Sequence, residues 1–150
     1  MKSIFLILTL SLITAAAAHA DTVGDRQLVM TLRTEQSGTG FVDLASVRDV
    51  DGRKEADLLV VNRLISPDHT SHIIAHVEFD CAKNSAQFLS GQGFDVEDRL
   101  LERVEGEGQA MGQIDVVTFA LICGGPGAPA NPRVFPNAAA AAAWARTGGT

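Results

Sequence analysis

The stretch Ile73-Ile74-Ala75-His76-Val77-Glu78-Phe79-Asp80-Cys81 decides how the rest of the chain is read. Ile73, Ala75, Val77, Phe79 and Cys81 alternate with Ile74, His76, Glu78 and Asp80. A period of two places each set on one side of a β-strand, the first against a core and the second in water. Cys81 then points inward. Lys83-Asn84-Ser85 supplies turn residues, and Ala86 to Ser90 returns as a neighbouring strand with Phe88 on the core side.

The same pattern extends upstream. Ala56 to Leu64 is nearly continuous in apolar residues, as suits a central strand, and Gly40 to Leu44 is a shorter one. Asp51-Gly52 between them is a turn signal. Leu28, Met30 and Leu32 mark a first strand, joined to the next through Ser37-Gly38-Thr39-Gly40. Downstream the reading divides. Asp95 to Glu105 has apolar residues at helical spacing but is short and highly charged, and its state stays open. Residues 112–123 are also open. Their β-branched residues favour a strand, whereas Val116, Phe119, Ala120 and Cys123 recur at helical spacing before Gly124.

After Cys123 the composition changes. Four of the five prolines fall in residues 124–136, with Gly124, Gly125 and Gly127 among them, so residues 125–150 read as a Pro/Gly-rich linker and an Ala-rich tail. Asn137 caps a run of six alanines that ends at Trp144. Alanine favours helix, but an isolated helix below about 12–15 residues is marginal in water. The run is either a small docked helix anchored by Trp144 or a frayed tail. The expectation from composition is that residues 125–150 can be deleted without loss of the fold.

Residues 1–20 have the form of a secretory signal peptide. Lys2 is its positive end, Ile4 to Thr14 its apolar part, and Ala18-His19-Ala20 the small residues before cleavage. The mature chain is expected to begin at Asp21, without a lipid-accepting Cys and without a stable membrane anchor. The whole chain has 12 basic and 18 acidic residues; Lys2 is the leader's one charge, so 11 basic against 18 acidic leaves the mature part at −7. An acidic balance disfavours nucleic acid and anionic membranes as partners. In an oxidising compartment, the isolated pair Cys81 and Cys123 is most simply one disulfide. Neither has a Cys or His at metal-ligand spacing.

Candidate chemistry is sparse. His72 and His76 on one strand are about 13 Å apart at ~3.3 Å per residue, too far to share an ion. His76, Glu78 and Asp80 share a strand face with neighbours about 6.6 Å apart, a spacing at which a Zn²⁺ site competes with a solvated polar face. The solvated face is expected, and with it an almost unchanged stability, and no loss of a bound metal, on replacing His76 or Glu78 by Ala. Asp68-His69 has no Gly-x-Ser-x-Gly elbow to complete a triad. Gly38-x-Gly40 lacks the third glycine of a dinucleotide fingerprint, and Gly124-Gly125-Pro126-Gly127 lacks the Lys of a phosphate loop. The acidic run Glu97 to Glu107 reads as solvated surface. No catalytic, cofactor-binding or metal-binding residue is assigned.

Three segments together resemble a known family: Gly40-Phe41-Val42-Asp43-Leu44-Ala45-Ser46-Val47-Arg48, then Val77-Glu78-Phe79-Asp80-Cys81, then Leu121-Ile122-Cys123. Their order is similar to that of the surface-adhesin protein E-like family, small exported bacterial domains. The chain departs from that family in its few aromatics, its alanine-rich tail and its lack of the lipid anchor some members carry. The resemblance implies a small antiparallel sheet with a closing helix over residues 112–123 held on one face by the Cys81–Cys123 bridge. The expected fold is therefore α+β, with a five- or six-stranded antiparallel sheet and one packed C-terminal helix over residues 21–124. The expected function is a non-catalytic, adhesin-like binding domain, periplasmic or secreted. Its partner is expected to be a protein at the envelope or outside the cell, or a second copy joined through a sheet edge. The alternative is a small periplasmic hydrolase or metal-binding protein, which a cleft gathering His76, Glu78 or Asp68 with another acid would favour.

Overall fold

A computed structural model describes residues 26–34, 38–63 and 70–148. The leader and Asp68-His69 lie outside these residues. Eight strands form one antiparallel sheet: β1 Leu28–Thr34, β2 Gly38–Asp43, β3 Arg48–Val50, β4 Arg53–Val61, β5 His72–Asp80, β6 Ser85–Phe94, β7 Leu100–Ala110 and β8 Val134–Phe135. Their order is β7-β6-β5-β4-β2-β1-β8, with β3 also paired to β4. Among the described residues two α-helices pack on the sheet, α1 Val116–Cys123 and α2 Ala138–Arg146. The α+β class and the antiparallel sheet agree with expectation. The strand count of five or six and the single helix do not.

Each extra element has a local cause. β2 and β3 run in the same direction beside β4, and a 3-10 turn at Leu44–Ser46 separates them. Asp43 caps that turn by accepting from the Ala45 amide at 3.0 Å. Asp51 and Gly52 close the β3–β4 hairpin with φ of 49° and 80°, the left-handed pair that a two-residue hairpin turn needs. β7 is exposed along nearly its whole length, so no apolar alternation marks it. Gly38 opens β2 at φ 124°, where an added Cβ would run into the Val61 carbonyl of β4; only glycine allows that approach.

The strand register separates two cores on opposite faces of the sheet. Val42, Ala56, Val77, Phe79, Ala86 and Ile122 form one, with Leu58, Ala75 and Phe119 packed against it. Leu28, Phe41, Leu59, Val61, Phe135, Ala141, Ala142 and Ala145 form the other, with Met30, Ile74 and Trp144 against it. α1 therefore covers one face and α2 the other. Neighbours in sequence, Phe41 and Val42 or Leu58 and Leu59, go to different cores because side chains alternate along a strand. This corrects the reading of β5 as polar on one side: Ile74 and buried His72 lie on the same side as His76 and Glu78, beneath the second core.

Of the two readings of the tail, the docked helix anchored by Trp144 is the one found, and residues 134–135 add a strand where a linker was expected. β8 pairs antiparallel with β1 through Leu28–Phe135 and Val29–Val134. Asn137 caps α2 by accepting from the Ala140 amide at 2.8 Å. The alanines let the helix lie close on the sheet, and Ala141 is fully buried. Trp144 sets its ring 5.2 Å from Phe135 and 6.3 Å from Phe41. A two-residue strand leaves almost no trace in composition, and the alanine run marks a helix without showing that it docks, because tertiary packing rather than local pattern holds both.

Cys81 and Cys123 are bonded, with Cα atoms 5.6 Å apart. The bridge ties the end of α1 to the turn after β5. That turn begins at Cys81, so the alternation of β5 stops at Asp80 and Cys81 is exposed rather than directed inward. No helix among the described residues is long and apolar enough to cross a membrane.

Candidate functional site

On the face covered by α2, the sheet changes from apolar to charged along β4 and β5. Asp57 lies opposite His76, and Glu55 lies opposite both Glu78 on β5 and Arg48 on β3. His76 bridges two carboxylates: Nδ1 is 2.9 Å from Asp57 Oδ1 and Nε2 is 3.1 Å from Glu55 Oε2. Arg48 donates twice to Glu55 Oε2, at 2.6 and 2.9 Å. Arg53 donates to Glu78. The β3–β4 hairpin thus carries an arginine on each arm, and each neutralises one of two glutamates that the register sets against each other. At the inner end Arg26 reaches Asp43 at 3.1 Å and Asp57 at 3.4 Å. Asp80 pairs with Lys83 at 3.1 Å, and both line a shallow polar hollow with Arg53, Glu78, Ser85 and Gln87, in which each of the two acids is held by a cation.

The electrostatics follow from these contacts. Hydrogen bonding to Asp57, reinforced by Glu55, raises the His76 pKa above its ordinary value despite partial burial. Burial pushes the Asp57 carboxyl up, but His76 and Arg26 outweigh it and hold it below the usual range. Hydrogen bonding from Arg48 lowers Glu55. A protonated His76 donates to both carboxylates and has no lone pair left for a metal. Among the described residues no group of three or more His, Cys, Asp or Glu is arranged to hold a metal ion.

A solvated polar face is therefore not what His76, Glu78 and Asp80 make. Each is partly buried and held by an opposite charge. Their companions Glu55, Asp57, Arg48 and Arg26 do not show in the pattern of β5 alone. The available signal was the alternation of Glu55 and Asp57 with Ala56 and Leu58 in β4, which puts both acids on one face.

A second polar group lies at the other end of β5. His72 is buried, stacks on Phe94 with ring centroids 5.1 Å apart, and has Nε2 3.4 Å from Asp98. Ser71 Oγ is 3.4 Å from His72 Nδ1 and accepts from Arg146. Ser, His and Asp thus lie in sequence around one imidazole. Ser71, however, is 0% exposed and faces a guanidinium, so its hydroxyl is not presented to a substrate. Burial lowers the His72 pKa, against the pull of Asp98 and Asp95 and with that of Arg146.

The two histidines act on stability in adjacent pH windows. His76, raised in the folded state, contributes fully below the unfolded value of about 6.5, and that contribution is lost as pH rises through its folded pKa. His72, depressed, favours the fold when neutral, and its contribution is lost as pH falls below about 6.5. Urea unfolding across pH 5 to 8 is expected to show a stability maximum near that value. His76→Gln should flatten the alkaline side alone; an unchanged alkaline slope in that variant would refute the assignment.

No family model matches the chain, and neither do the curated proteins or the solved structures.

Proposed function

We propose that the protein is a non-catalytic, exported binding domain of the bacterial cell envelope, of the surface-adhesin protein E-like kind, and that it holds its partner along the outer edge of β7. The observation that carries this reading is the contrast between the charged face and that edge. On the face, Glu55, Asp57, His76 and Glu78 are each held by a counter-charge. Along β7, no strand lies on the outer side among the described residues. Leu100, Leu101 and Val104 are exposed there, Val104 by 47%. A free edge presents main-chain N–H and C=O groups that an extended partner segment can pair with, and apolar side chains beside it serve as anchors. The disulfide suits an oxidising compartment.

The test is capture from envelope extract on immobilised mature protein, beside a Leu101→Asp/Val104→Asp variant. Both positions are exposed, so the variant should keep the fold. A captured protein that is lost with the variant is the expected result. Equal capture by both would remove β7 as the contact. Stoichiometric zinc in the purified protein, lost in His76→Ala, would replace the binding reading by the metal-site alternative.

A further inference from the structure

Arginines at one edge of the sheet and glutamates at the other lack an opposite-charge partner among the described residues. Arg26, Arg48, Arg53, Lys54, Lys83 and Arg99 each lie against a carboxylate. Arg33 on β1 and Arg133 just before β8 have no such partner among the described residues. Both lie over the Trp144 ring instead, at 5.9 and 5.5 Å from its centroid, and Arg33 also donates to the Gly148 carbonyl at 2.7 Å. At the opposite edge Glu102, Glu105 and Glu107 are exposed on β7 without a paired cation among the described residues, and Arg103 is the one basic residue of that strand. Among the described residues one edge is therefore net basic and the other net acidic.

The backbone allows the two edges to meet. β8 covers β1 only at Leu28 and Val29, so Met30 to Thr34 have no strand on their outer side among the described residues. Between β7 and β1 the strands β6, β5, β4 and β2 alternate in direction, and β7 and β1 run in opposite directions. A second copy in the same orientation thus sets its β7 antiparallel to β1 of the first. Pairing β7 with β7 instead would bring together two net-acidic edges, which is unfavourable.

We propose that the protein self-associates head to tail, with the acidic β7 edge of one copy pairing antiparallel with the Met30–Thr34 edge of the next and Glu105, which lies on the α2 face as Arg33 and Arg133 do, set against them. This rests on the reading of β7 as the binding edge and names a second copy as its partner. Such a contact uses two different surfaces, so it builds a ring or an open chain rather than a two-fold dimer. The bulges that interrupt β7 on either side of Glu102 to Glu105 keep the paired run short, which points to a weak, concentration-dependent association.

Sedimentation velocity on the mature protein tests this. The average mass is expected to rise with concentration at low salt and to fall as salt is added, because exposed charges are screened. Glu102→Lys/Glu105→Lys should weaken self-association about tenfold or more while leaving unfolding cooperative. That variant keeps its basic edge, so adding it to wild type should cap chains and lower the wild-type mass. A two-fold β7 contact predicts no capping. Wild type that stays monomeric at every concentration, or whose mass the variant leaves unchanged, overturns the proposal. Capture of an envelope protein through β7 is read separately and survives either result.

Discussion

Deleting residues 133–150 is expected to abolish cooperative unfolding. The segment contains β8 and α2, and these cover one whole face of the sheet's centre. Leu28, Phe41, Leu59 and Val61 are each about 1% exposed beneath them. Burying a large apolar side chain is worth about 1.5–3 kcal/mol, so uncovering four removes roughly 6–12 kcal/mol as an upper bound. The whole fold of a domain this size is worth about 5–15 kcal/mol. Phe135 and Trp144 go with the segment, and with them the edge-on contacts to Phe41. Far-UV circular dichroism in urea measures the result. A sigmoidal transition close to that of the full chain would restore the view of a dispensable tail. The point variant Trp144→Ala makes the same case more gently. It should cost about 3 kcal/mol, the low end for removing an aromatic from a core, since Trp144 is only partly buried.

That result would reverse what composition alone suggests, and the reason is physical. The meander was legible wherever one strand face is apolar and the other polar, or where a turn demands particular residues. β5 ends within one residue of its reading, and Asp51-Gly52 closes a hairpin as expected. β7 was not legible because it has no buried face to impose alternation. α2 was not legible as core because small alanines bury through close approach, which no spacing reveals. α1 stayed open because its residues are apolar nearly all round, so a helix and a buried strand look alike until Asp115 is seen accepting from the Thr118 amide at 2.9 Å. The charged face was half legible. His76 was found, but its acids lie 19 and 21 residues away and come beside it only through the β4–β5 register. The period of two carries on through Cys81 in the sequence, whereas in the fold Cys81 is the first residue of the turn.

Replacing the bridge by Cys81→Ser/Cys123→Ala is expected to lower stability by about 2–4 kcal/mol. α1 is eight residues long, too short to persist unaided. It is held by the Asp115 cap at its start, by Phe119 against Phe79 with ring centroids 5.5 Å apart, and by Cys123 at its end. Most of the loss should come through the unfolded chain. The bridge closes a separation of 42 residues, and the chain-entropy relation gives about 4 kcal/mol for a loop of that size. The apolar contacts of Ile122 and Phe119 remain in the variant, so its folded structure should change little. Two signatures separate this account from a loss of native contacts. The urea midpoint should fall by about 1–2 M at an ordinary m-value. The m-value itself should rise, because an unbridged chain exposes more surface when it unfolds. Cys81 is exposed, so a thiol reductant reaches the bridge in the folded protein, and reduced wild type should match the variant. Two free thiols in unreduced, denatured mature protein, or a variant as stable as wild type, would show that α1 is held by its packing alone.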